Sequence, residues 1–147
     1  MLALIPAVTW ATSISPPPSL EARIIAADHI FVGTVKSISV IGADGNHTEK
    51  PPSPLPQETR IQLIIKPETP WIATPLRKLP DFVAVTYDVG KMILSYDSEK
   101  EHYLNKKWVF LLSGEDFHPA AFLAFAEPES QLEEIKAIIT QAKKPIE

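Results

Sequence analysis

The amino-acid sequence predicts a mainly β domain: a small antiparallel barrel with a short helix before it and a longer helix after it. Three observations carry this. Segments that alternate apolar and polar residues follow one another without helical patterns between them, which disfavours a parallel α/β sheet. The helical periodicities stand at the two ends of the chain. The 15 prolines among 147 residues are about twice the usual share and exclude long uninterrupted helices. A chain of this length buries enough apolar surface to fold as one domain without a metal or a disulfide.

Met1 to Leu20 holds no charged residue, and Leu2 to Ala11 is an apolar run as long as a signal-peptide core. It is too short to cross a bilayer, which takes about 20 apolar residues. The small residues Ala11, Thr12 and Ser13 follow, with cleavage after Ala11 or Ser13 as the expectation. Ser15-Pro16-Pro17-Pro18 reads as a stiff linker. The expectation is an exported protein, periplasmic or secreted, in which residues 1–18 are a signal-like segment and linker and residues 19–147 are the domain. The basic n-region of a signal peptide is missing, and the other reading of Met1 to Trp10 is an interaction arm on a cytosolic structural subunit.

Ser19 to Asp28 predicts the short helix, capped by Ser19 and carrying Glu21 in its first turn. His29 to Ile41 is rich in strand formers, and Gly33 within it marks a bulge or bend. Gly42 to Gln57 is a loop, with Asp44-Gly45 as a turn signal and prolines at 51, 52, 54 and 56. It reads as an extended, mobile excursion between two strands. Thr59 to Lys66 alternates as a strand does, and Pro67 ends it. Pro67 to Pro80 is a second proline-broken connection, carrying Trp71, Ile72 and Leu76. Phe82 to Tyr87 is a third strand and Met92 to Tyr96 a short fourth one. Asp97 to Asn105 reads as a charged, solvated turn. Lys107 to Ser113 is almost continuously apolar and therefore central, and Ala120 to Ala126 is the last strand. The closing helix has a capping box in Ser130 and Glu133 after Pro128, and an apolar stripe of Leu132, Ile135, Ile138 and Ile139. Lys143 and Lys144 suit its C-terminal end and Pro145 stops it.

The stretch Ala27-Asp28-His29-Ile30-Phe31-Val32-Gly33-Thr34-Val35 resembles the first strand of netrin-like domains, the OB-fold barrels of the tissue inhibitors of metalloproteinases and their bacterial relatives. Arg60 to Lys66 as the second long strand, Tyr103 to Ser113, and the C-terminal helix are compatible, so the resemblance spans roughly residues 19 to 141. It implies an OB-like barrel in an exported setting. The inhibitors of this family act through an N-terminal cysteine whose amine and carbonyl bind the protease zinc. This chain has no cysteine, so that mechanism does not carry over.

The absence of cysteine also removes disulfides, thiolate metal sites and a thiol nucleophile. The net charge of -4 argues against nucleic acid as a partner. Trp71, Trp108, Phe31 and Tyr87 are stacking-type residues, but core packing is the ordinary role for aromatics among apolar and acidic neighbours. Lys106 and Lys107 beside Trp108 make the one aromatic-basic group. His29, His47, His102 and His118 form no ligand pair at helical spacing, and Asp97, Glu99, Glu101 and His102 lack the glycine and spacing of a calcium loop. Phosphate-binding and dinucleotide loops and the nucleophile elbow are missing. No cofactor, metal or membrane span is expected. Glu115, Asp116 and His118 beside Gly114 are the seed of an alternative, a metal-dependent or hydrolytic enzyme, which needs a third ligand or a base from elsewhere. Asn46-His47-Thr48 matches the N-glycosylation triplet. The main expectation is a non-catalytic binding module whose partner is another protein. That partner is met by the loop holding Asp44, Asn46 and His47 and by the loop around Trp71.

Overall fold

The computed structural model describes residues 18–48, 50–51, 53–56, 58–89, 95–121 and 124–142. The signal-like segment up to residue 17 and the helix stop after residue 142 lie outside them. Helix α1 (Leu20–Ala26) begins as the sequence reading expects: the Ser19 hydroxyl accepts a hydrogen bond from the Ala22 N–H at 3.1 Å, and Glu21 sits in the first turn. It ends at Ala27, which turns extended to lead into β1 (His29–Ile41).

Six further strands follow: β2 (His47–Thr48), β3 (Arg60–Pro67), β4 (Val83–Asp88), β5 (Lys107–Ser113), β6 (His118–Pro119) and β7 (Ala126–Pro128). All pairings between them are antiparallel. The sheet runs β4-β3-β1-β5-β6, with β2 added to β1 and β7 to β5. The long β1 serves two neighbours in turn. Its first half pairs with β5, setting Phe31 opposite Phe110, and its second half pairs with β3, setting Ile38 opposite Leu63. The curled sheet brings β4 near β6, but the two share no ladder, so the molecule is a barrel only loosely.

A bulge between Val35 and Ser37 explains how one strand does both jobs. Side chains alternate faces along a strand, so one extra residue swaps the faces beyond it. Phe31 and Val35 point inward before the bulge, and Ile38 and Val40 point inward after it. Inside the barrel they join Leu63, Ile65, Val85, Phe110, Leu112 and Phe125. The alternate residues of the paired halves, Ile30 and Val32 on β1 with Val109 and Leu111 on β5, face outward. They are covered by Ile24 of α1 and by Ile135 of α3 (Leu132–Ala142). No helix among the described residues is long and apolar enough to cross a membrane.

Several local expectations change. The charged stretch Asp97 to Asn105 is largely a helix, α2 (Tyr96–Tyr103), capped by Ser95. Its two buried residues, Tyr96 and Tyr103, lie seven apart on one face, and the Tyr96 hydroxyl donates to the Ile38 carbonyl at 3.0 Å. Tyr96 therefore opens a helix rather than closing a strand from Met92, and residues 90–94 lie outside the described set. Ala120 to Ala126 is not a continuous strand: only Ala126 of it belongs to β7, and the Ala124 N–H turns back to the Ala121 carbonyl at 3.1 Å. The proline-rich excursion is anchored, since Leu55 is buried in the inner core and the Thr59 hydroxyl donates to the Pro56 carbonyl at 2.6 Å. The closing helix starts through a 3-10 turn, Glu129–Gln131, and Pro128 at its cap offers no side-chain bond, so the expected capping box does not set the start.

Candidate functional site

The connection from Pro67 to Phe82 runs along the part of β1 that β3 leaves uncovered. The Val32 carbonyl accepts from the Glu68 N–H at 2.7 Å, and Ile30 forms a bridge with Ala73. This docking satisfies backbone groups that would otherwise be an open sheet edge. It also lays the Trp71 indole on Phe31, with ring centroids 4.4 Å apart.

His29, the first residue of β1, sits beneath this connection and is 2% exposed. Its ring touches Phe117 at 4.6 Å and the edge of Trp71 at 6.0 Å. Its Nε2 lies 3.0 Å from the Gly114 carbonyl, and its Nδ1 lies 2.8 Å from the Thr74 hydroxyl. A carbonyl only accepts, so Nε2 carries the proton. The Thr74 hydroxyl accepts from the Leu76 N–H at 3.2 Å, and its own proton is placed to go to Nδ1 in the tautomer that carries the ring proton on Nε2. Next to it, Asp28 accepts from the Gly114 N–H at 2.8 Å. Gly114 and Phe117 hold positive φ values of 78° and 55°, which fold the turn after β5 back toward β1.

These contacts build a cleft of about 660 Å³. One wall is the segment Pro75 to Pro80 and the other is the turn from Gly114 to Phe117, with Asp28 and His29 between them. Pro75, Leu76, Leu79, Pro80 and Phe117 make the lining mostly apolar, while Lys78 and Glu115 stand on opposite walls. On the other side of the same connection a groove of about 560 Å³ lies against α3, lined by Val32, Pro70, Trp71, Leu132 and Ile139. The buried indole N–H of Trp71 has no acceptor among the described residues.

The residues singled out from the sequence fall in three places. Asp44 and Asn46 lie in the exposed turn between β1 and β2, and His47 is the exposed first residue of β2. One Asp44 oxygen accepts from the Asn46 N–H at 3.0 Å, the other accepts from its side-chain amide at 2.9 Å, and these bonds hold the Asp44 carboxyl below its ordinary range. His47 Nδ1 lies 3.1 Å from the Ser39 hydroxyl. Trp71 is not with them. It packs on Phe31 near the opposite end of β1 and is 8% exposed, so it is a core residue bordering a groove rather than a displayed contact. Asp116 and His118 pair at 2.6 Å in solvent, and the His118 ring lowers the Asp116 carboxyl. Glu115 lies on the cleft wall, and the described residues contain no group of three acidic or histidine side chains placed to hold a metal.

His29, Thr74 and Lys78 are additions that the sequence reading passed over. The available signal was a histidine opening a run of buried strand residues, a polar group at a core position. Compared with protein-family models, with curated proteins and with solved structures, the chain matches none.

Proposed function

We propose that this chain is an exported, non-catalytic binding module of netrin-like, OB-type build, and that its cleft beside His29 takes an apolar side chain of a protein partner. The carrying observation is the cleft itself. Its size and mostly apolar lining fit a ligand site, and its few polar groups are placed at the floor and rim. The floor supports binding over chemistry, because both ring nitrogens of His29 and one oxygen of Asp28 are already engaged within the fold. Export rests on the apolar run from Leu2 to Ala11 and the small residues after it.

Photo-crosslinking in the source cell tests this. A benzophenone amino acid replacing Leu76, on the cleft wall, is expected to give one discrete protein adduct. The same probe at His47 is expected to give none. An adduct at His47 alone moves the interface to the turn between β1 and β2, and no adduct at either site sinks the proposal. A mature protein that still begins with Met1 in its own host sinks the export part.

A further inference from the structure

We infer that Pro75 to Pro80 is a strap latched over the cleft by the Thr74 hydroxyl on His29, and that the strap releases while the barrel stays folded. This goes beyond the binding reading, and its test needs no ligand. Upstream, the chain is fixed: Ile30 donates to the Ala73 carbonyl at 2.8 Å. Downstream, it is fixed again at Val83, where β4 begins and Ile65 stands opposite. Between these points little holds it. Among the described residues, the backbone from Pro75 to Phe82 makes one hydrogen bond outside β4, from the Leu76 N–H to Thr74 Oγ1. Leu79 is partly buried against the inner core, while Pro75 to Lys78 is exposed. The cleft lies on one side of the strap, and a second cavity of about 520 Å³, lined by Lys66, Thr69, Leu79 and Asp81, lies on the other. A segment with open space on two flanks and one backbone bond opens at lower cost than the strands around it.

The latch is chemically specific. Thr74 Oγ1 is the shared atom in a relay from the Leu76 N–H through the hydroxyl to His29 Nδ1, and His29 passes the tie to the Gly114 carbonyl across the cleft. One imidazole therefore joins both walls. Without the hydroxyl, the Leu76 N–H and Nδ1 both lose their partner. Proline at each end of the strap limits its own bending, so it swings as a piece about Thr74 and Asp81.

Residue-resolved hydrogen exchange on the full chain tests the strap. Thr74→Val keeps the side-chain shape and removes the hydroxyl. It is expected to speed exchange at Leu76, the one hydrogen-bonded amide of the strap, by about tenfold, while β1 and β5 amides keep their wild-type rates. Thr74→Ser, which retains the hydroxyl, is expected to behave as wild type. The apolar dye anilinonaphthalene sulfonate is expected to fluoresce more strongly with Thr74→Val than with wild type, as the cleft widens. Unchanged strap exchange, or strand amides accelerating in step with the strap, overturns the inference. Should the valine variant not fold, the wild-type protein decides by nitrogen NMR of His29. Nε2 is expected to be the protonated nitrogen of the neutral ring, and a neutral ring protonated at Nδ1 removes the latch.

Discussion

Gly33 is a glycine because of a neighbour on another strand. A Cβ built there meets Ile65 Cγ2 at 2.6 Å, with the Lys66 carbonyl and the Phe31 ring at 3.2 Å. Gly33→Ala is expected to cost about 1–3 kcal/mol through overpacking, read as a lower urea midpoint at unchanged slope. A wild-type midpoint would mean that Ile65 repacks freely and that the close approach does not constrain the barrel. The sequence points to this residue but not to its reason. A lone glycine in a strand signals a bulge or a close approach, and the bulge actually sits between Val35 and Ser37. Which atom approaches is a property of β3, about thirty residues away. His29 is the stronger case. Its hydrogen-bond partners lie 45 and 85 residues along the chain, so no local spacing could announce them. Asp44 and Asn46 are the opposite case: their bonds span two residues, and the turn was legible from the Asp-Gly pair.

At the level of elements, the long strands β1, β3, β4 and β5 were legible, while α2 and the short strands β2, β6 and β7 were not. A strand shows its inward face every second residue, so six to eight residues suffice to read β1 or β3. Helix α2 buries only Tyr96 and Tyr103 among charged neighbours, and two anchors seven apart make no visible stripe. The helix packs on the inner core through phenols: the Tyr87 hydroxyl on β4 donates to Glu99 at 2.8 Å, and Tyr103 packs its ring near Tyr87 and Phe125. Burial first, and the Glu99 charge second, raise both Tyr87 and Tyr103 above the ordinary tyrosine value of 10.0. A phenol proton held more tightly in the folded state than in the unfolded chain stabilises the fold for as long as the folded state keeps it. This contribution is therefore intact below about pH 10 and is lost as pH rises past it. Each such phenol steepens the alkaline fall by about 1.4 kcal/mol per pH unit. Tyr87→Phe is expected to make that fall shallower by one proton, measured as urea stability between pH 9 and 11.5. An unchanged pH slope would mean that Tyr87 ionises within the folded protein.

Over the whole molecule, two apolar cores share one pair of strands. The inner core fills the barrel, and the outer core lies between the β1–β5 pair and helices α1 and α3. The sequence showed this indirectly: Lys107 to Ser113 reads as continuously apolar because both of its faces are covered, whereas β1 returns to exposed residues at Lys36 and Ser37. Arg23 of α1 adds a polar tie, pairing with Glu127 of β7 and donating to the Ala124 carbonyl at 3.1 Å. Sharing strands has a thermodynamic consequence. Loss of the outer layer exposes Ile30, Val32, Val109 and Leu111, whose backbones also carry Phe31 and Phe110 of the inner core, so neither core persists alone. Ile135→Ala, at a residue fully buried in the outer core, is expected to cost about 2–4 kcal/mol. It should move one cooperative transition rather than split it. Far-ultraviolet dichroism follows the sheet and helices, and near-ultraviolet dichroism follows the aromatic cluster of the inner core. The two are expected to give the same midpoint in wild type and variant. Separate midpoints in the variant would show that the helices form a layer that the barrel does not need.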